Sequence, residues 1–116
     1  MATYSRIPLS GSTNGKLVPV VATATAGTLI HTATSSTTYS DEIWIYAVNS
    51  STSAVKLTLE WGGVTANTDH IELTISPEAG LVLVSPGISL QNSLVVRAFA
   101  ATASVINLAG YVNRIS

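Results

Sequence analysis

Short runs of apolar and β-branched residues recur along this chain, each about the length of a β-strand and separated by clusters of Gly, Pro, Asn and Ser. No segment has a convincing helical period. The predicted strands lie within residues 4–7, 16–24, 28–33, 42–49, 55–61, 70–76, 81–84, 94–101 and 104–115. About eight or nine strands at this spacing predict an all-β, single-domain β-sandwich with jelly-roll or related Greek-key topology, and an immunoglobulin-like order remains an alternative.

Two of these runs alternate cleanly between apolar and polar residues. In residues 55–61 and 70–76 the apolar side chains would face inward. The polar side chains of both runs would face outward on the same side of the sheet. The outward set is Lys56, Thr58, Glu60, His70, Glu72 and Thr74. We therefore expect a charged hairpin that faces solvent, with residues 62–68 as its loop or as a longer crossover. Proline and glycine predict turns at residues 76–80 and 85–87.

The 116 residues are enough for one hydrophobic core, so a second domain is not expected. Residues 1–15 are rich in Ser, Thr and Gly and lack the pattern of a secretory signal. The predicted division is an N-terminal arm at residues 1–15 and a β-sandwich domain at residues 16–116. Such an arm would be mobile alone and would become ordered against a neighbour.

Charged residues make up 9% of the chain and hydrophobic residues 47%, whereas an ordinary soluble domain is about a quarter charged. A surface so poor in charge predicts an assembly subunit that other protein covers. The charge-free lengths, residues 17–40, 79–91 and 98–113, would supply both the core and the subunit contacts. With a net charge of −1 and no apolar run of about 20 residues, we expect no nucleic-acid partner and no membrane span.

Few residues suggest catalysis. His70 and Glu72 would share a strand face, as two metal ligands or an acid/base pair require, but no third ligand has a recognisable spacing. Glu60 and Glu72 could be the paired carboxylates of a glycosidase, although outward acids opposite basic residues are commonplace. The sequence therefore predicts a protein that is not an enzyme, with no catalytic, cofactor or metal residues; a polar pocket at His70 and Glu72 would favour the enzyme alternative.

Aromatic residues offer a different kind of site. Trp44, Tyr46 and Trp61 could form a platform for sugars, but packing within a charge-poor sandwich explains them equally well. Exposed tryptophans would favour the sugar-binding alternative, and buried ones would count against it.

Three blocks of sequence resemble small structural proteins of tailed-bacteriophage virions. They are residues 4–15 (YSRIPLSGSTNG), residues 42–50 with 57–63, and residues 90–101 with 110–115. The resemblance implies a non-enzymatic virion protein of the capsid decoration, or cement, type. It implies no catalytic residues and no cofactor.

A decoration protein is made in the host cytoplasm and lies on the outer surface of the capsid. The expected partners are the major capsid protein, which it would bridge and stabilise, and further copies of itself in a homo-oligomer such as a trimer. We expect Arg6, Ile7 and Leu9 to contact the capsid protein or a neighbouring copy. The alternative is a minor head, collar or tail component that acts as a carbohydrate- or receptor-binding module.

Overall fold

The computed structural model describes residues 2–116, and these residues form two antiparallel sheets and no helix. The strands are β1 (Tyr4–Pro8), β2 (Val18–Pro19), β3 (Thr28–Thr32), β4 (Asp41–Asn49), β5 (Val55–Trp61), β6 (His70–Ile75), β7 (Val82–Leu90), β8 (Val95–Ala100) and β9 (Ile106–Ile115). Sheet A has the order β1-β9-β4-β7, with β2 also paired to β9, and sheet B has the order β3-β8-β5-β6. The predicted all-β sandwich is confirmed. Within residues 2–116 no helix is long and apolar enough to cross a membrane.

The strand pairing shows why the chain closes as a jelly roll. Pairs nest from the outside inward: β2 with β9, β3 with β8, β4 with β7 and β5 with β6, all antiparallel. This is one long hairpin rolled over itself, and the rolling brings β4 beside β9 and β5 beside β8. The result is two four-stranded layers of Greek-key type, with β1 added beside β9.

The core lies between the sheets and follows the two-residue alternation of the central strands. In β4 the side chains of Ile43, Ile45 and Ala47 are fully buried, whereas the side chains between them are half-buried. Leu57 and Leu59 of β5 complete the facing layer and are also fully buried. Period-two patterning therefore identified the inner face of β5 correctly, whereas for β4 it separated the two faces without indicating which one is inner.

The N-terminal residues differ from the predicted mobile arm. β1 pairs along β9, from Tyr4 opposite Ile115 to Pro8 opposite Tyr111. Leu9 is only 1% exposed, within the core. A strand and a buried leucine therefore anchor residues 4–9 to the sandwich, while Met1 lies outside the described residues.

The turn predicted at residues 85–87 is wrong, because β7 runs continuously through it. Pro86 is tolerated there since β7 is an edge strand of sheet A. The register against β4 shifts twice, on either side of the Trp44–Ile45 pair, which is typical of β-bulges. Gly87 has a φ of 75°, and a Cβ at that position would lie 2.9 Å from the indole ring of Trp44, so only glycine fits.

Candidate functional site

The outer face of sheet B carries most of the polar side chains that the sequence singled out. Glu60 of β5 lies opposite His70 of β6, and Thr58 lies opposite Glu72. On its other side β5 pairs with β8, which places Phe99 beside Thr58. The face is not simply solvated as predicted: Thr58 is 3% exposed and Glu60 is fully buried.

Glu60 is buried because residues 22–27 cross this face and bond to it. The Gly27 N–H donates to Oε1 of Glu60 at 2.6 Å, and the Thr25 hydroxyl donates to Oε2 at 2.7 Å. Upstream, the Ala100 N–H donates to the Ala22 carbonyl, which fixes the other end of the segment on β8. The carboxylate thus acts as the anchor that holds residues 22–27 against sheet B.

His70 is almost enclosed but lacks a hydrogen-bond partner. Its side chain is 9% exposed, and its Nε2 lies 3.8 Å from Oε2 of Glu60, which is too far for a hydrogen bond. Within the described residues this Nε2 is the one buried side-chain polar atom without a partner. The imidazole instead packs edge-on against the Phe99 ring, with the centroids 5.6 Å apart.

A half-open cavity of about 220 Å³ lies next to His70. Its lining residues are Thr23 of the crossing segment, Lys56 and Thr58 of β5, His70 and Glu72 of β6, Phe99 of β8, and Ala101 just after β8. Lys56 and Glu72 form an ion pair, and the hydrogen bond from Lys56 lowers the pKa of Glu72. The cavity offers hydrogen-bond donors and acceptors beside an aromatic ring, and it is the polar pocket that the enzyme alternative required.

The specific chemistries considered from the sequence receive less support. Of the suggested glycosidase pair, only Glu72 lines the cavity, because both oxygens of Glu60 are bonded to the crossing segment. Within residues 2–116 no group of three His, Cys, Asp or Glu side chains could hold a metal ion. Trp44 lies on sheet A and Trp61 on sheet B, where it packs against the core, so Trp44, Tyr46 and Trp61 do not form the single aromatic platform considered as an alternative.

A second polar cluster joins the two sheets and was missed from the sequence. Asp41 is fully buried, and Arg114 donates to both of its oxygens at 2.9 Å. His31 Nε2 lies 2.8 Å from Oδ2, and the Thr34 N–H also donates to that oxygen. The Ser10 N–H donates to Nδ1 of His31, so the imidazole is neutral with its proton on Nε2.

The charges of this cluster agree with its hydrogen bonds. Burial lowers the pKa of His31 and outweighs the opposing effect of Asp41. Burial alone would raise the pKa of Asp41, but the hydrogen bonds from Arg114 and His31 prevail and lower it. His31 reaches the interior because the register of β3 shifts between Leu29 and His31, which buries both Ile30 and His31. Such a bulge has no signal in the sequence.

The outer face of sheet A carries a cluster of aromatic and apolar side chains. Trp44 stacks on Tyr111 with the ring centroids 6.1 Å apart and the planes 15° from parallel, and the Arg6 guanidinium lies 4.8 Å from the centroid of Tyr111. Beyond β4, Leu83 lies opposite Tyr46 on the same face and is 45% exposed. Tyr4 at the far edge is 71% exposed.

The three predicted contact residues have different positions. Arg6 lies on the outer face of sheet A, over the ring of Tyr111. Ile7 is half-buried and packs against the core, and Leu9 is part of the core. Leu9 therefore packs within its own chain, whereas Arg6 is placed where a partner could contact it.

Comparisons of the chain with models of protein families, with curated proteins and with solved structures find no match.

Proposed function

We propose that this protein is a non-enzymatic assembly subunit that docks through the outer face of sheet A, and specifically a capsid decoration protein of a tailed phage. The aromatic, apolar character of that face carries the proposal. Interface cores are enriched in Tyr, Trp and Arg and poor in Lys, Glu and Asp. The face combines the stacked Trp44 and Tyr111 with Arg6 and the exposed Leu83, and so shares the enrichment in aromatic residues and Arg, while the half-buried Glu42 also lies on it.

The geometry of the face also suits a permanent contact. Trp44 and Tyr111 hold each other in place and Gly87 lies against the indole, so little side-chain freedom would be lost on docking. The edge strand β7 contains Pro86 and two register shifts, which discourage pairing with a further strand. Contact through side chains on the face is thus favoured over extension of the sheet at β7. The resemblance to virion proteins supplies the partner, the major capsid protein, and many symmetric copies would add small contributions to shell stability.

The test compares complete particles with particles that lack this chain, before and after purified protein is added. Without the chain, particles should release their contents at lower temperature and under milder osmotic shock than complete ones. Wild-type protein should restore both, and Leu83→Asp should not, because it places a charge in the proposed contact. Leu29→Asp is the matched control, since Leu29 is 40% exposed but lies on the outer face of sheet B. Equal rescue by the two variants would contradict docking through sheet A.

The number of copies per particle distinguishes the shell from other positions. On the order of hundreds of copies supports decoration of the capsid, whereas about a dozen or fewer supports a neck or tail component. Particles without the chain that are as stable as complete ones would rule out the cement role.

A further inference from the structure

We propose that the cavity on the outer face of sheet B binds a single neutral sugar ring. The cavity lies on the opposite sheet from the proposed docking face, so a docked subunit would leave it open. This inference does not depend on the capsid role. It rests on four properties of the cavity: its fixed walls, its charge, its size and its incomplete hydrogen bonding.

The walls are held in place before any ligand arrives. Thr23 belongs to the segment that Glu60 anchors through Thr25 and Gly27. The opposite wall consists of residues in the β5, β6 and β8 ladders, including Thr58 and Phe99. A preformed cavity requires little ordering on binding, so weak contacts with a small ligand can suffice.

The charge of the lining favours a neutral ligand over an ion. Lys56 and Glu72 already neutralise each other at the cavity. A phosphate would compete with Glu72 for the Lys56 ammonium, and a diamine would compete with Lys56 for the Glu72 carboxylate, so either ion would have to break the pair. A neutral ligand with several hydroxyls can instead accept from the ammonium, donate to the carboxylate and bond to the Thr23 and Thr58 hydroxyls without breaking the pair.

The size and the aromatic wall narrow the class to a sugar ring. The cavity volume is about 220 Å³. Since a water molecule occupies about 30 Å³, this is room for roughly seven waters. That is near the size of one pyranose and below the range of about 300 Å³ and more that encloses larger ligands. Phe99 provides an apolar surface for the C–H groups of the ring, which a linear polyol would cover less completely.

His70 adds an independent observation. Buried polar atoms normally have partners, yet Nε2 of this 9% exposed side chain has none within the described residues. The imidazole also lines the cavity. Because Nε2 itself is buried and lies 3.8 Å from Oε2 of Glu60, a small movement of the ring toward Glu60 on binding would complete the network.

Titration of ¹⁵N-labelled protein with methyl glycosides tests the proposal. The probes are methyl glycosides of glucose, mannose, galactose and N-acetylglucosamine, with sorbitol, phosphate and putrescine as competing classes. At least one glycoside should give saturable shifts confined to the lining residues, with a Kd on the order of millimolar. No saturable shift with any glycoside, or tighter binding of phosphate, putrescine or sorbitol, would overturn it.

Variants locate the binding. Thr58→Val removes the cavity hydroxyl with little change in shape and should weaken binding roughly three- to tenfold. Thr74→Val is the matched control, because Thr74 lies on the same outer face of sheet B but does not line the cavity. This variant should bind the glycoside as the wild type does. If Thr58→Val does not fold, Lys56→Met serves instead, since Lys56 is exposed. Unchanged affinity in the folded cavity variant would overturn the site, whereas failure of the particle test leaves it standing.

Discussion

Asp41 and Glu60 are both buried carboxylates, and their negative charges are stabilised by different kinds of hydrogen-bond donor. Both are fully buried, and both hold a segment from another part of the chain. Asp41 is bonded to the cationic Arg114 and to the His31 imidazole, and it links the two sheets. Glu60 accepts only from uncharged groups, the Thr25 hydroxyl and the Gly27 amide, and it lies on the outer face of one sheet.

Every buried polar group in the hydrogen-bond network around Asp41 has a partner, so that network is saturated, whereas the network beside Glu60 is open because one group lacks a partner. Around Asp41 the cation compensates the charge and both ring nitrogens of His31 have partners. Beside Glu60 the nearest ring nitrogen, Nε2 of His70, remains unpaired at 3.8 Å, and a cavity adjoins the ring. A completed polar network specifies structure, whereas an incomplete one beside a cavity is a place where binding can occur.

Removing the charge of Asp41 should have the largest effect on stability. Asp41→Asn leaves the Arg114 guanidinium, which is 34% exposed, without its carboxylate. We expect the free energy of unfolding to fall by about 3–5 kcal/mol, near the lower end because that guanidinium still meets water. Urea denaturation measures the loss. Glu42→Gln is the control, since Glu42 is the next residue and lies half-buried on the outer face; similar losses in both variants would contradict the special role of Asp41.

Removing the charge of Glu60 should cost less, because its partners are neutral. In Glu60→Gln one oxygen still accepts from the chain, and the new amide can donate to the Thr25 hydroxyl. The expected loss is about 1–3 kcal/mol in the same urea experiment. Glu72→Gln, a change of the same kind at an exposed position on the same sheet face, should leave the denaturation midpoint unchanged. A loss in Glu60→Gln as large as in Asp41→Asn would break the comparison.

Acidification should weaken the Asp41 cluster through His31 first. The unfolded chain binds a proton at His31 near pH 6.5, whereas the folded chain does so only at lower pH because burial lowers the pKa. Stability is therefore full above about pH 6.5 and falls below it, by at most about 1.4 kcal/mol per pH unit for this one proton. Asp41 adds a second loss below about pH 3.8, since its pKa is also lowered in the folded chain.

The His31→Gln variant identifies the source of that slope. Glutamine can still donate to Asp41 but does not titrate. The stability difference between wild type and variant should thus shrink from pH 7.5 to pH 5, as urea midpoints at each pH would show. Parallel profiles would overturn the assignment of a neutral His31 in the folded protein.

Much of the fold was predictable because the signals are local. The alternation of residues 55–61 identified Leu57 and Leu59 as core residues, and both are fully buried. The same alternation placed Glu60 outward, which is correct for the sheet face but wrong for solvent exposure, since residues 22–27 cover it. Glu72 was correctly expected to be exposed, and its place beside His70 in the cavity follows from their two-residue spacing on one strand.

By itself the sequence determined the β-sandwich class and the inner face of β5, because a period of two depends only on neighbouring residues in the strand. Only the tertiary structure decided which polar groups are buried. The shift in strand register between Leu29 and His31 turns the histidine inward. The Glu60 anchor depends on Thr25 and Gly27, which lie 35 and 33 positions earlier in the chain. Such contacts depend on strand registers that no local pattern encodes. For that reason the saturated Asp41 cluster and the cavity beside His70 became visible only in the folded protein.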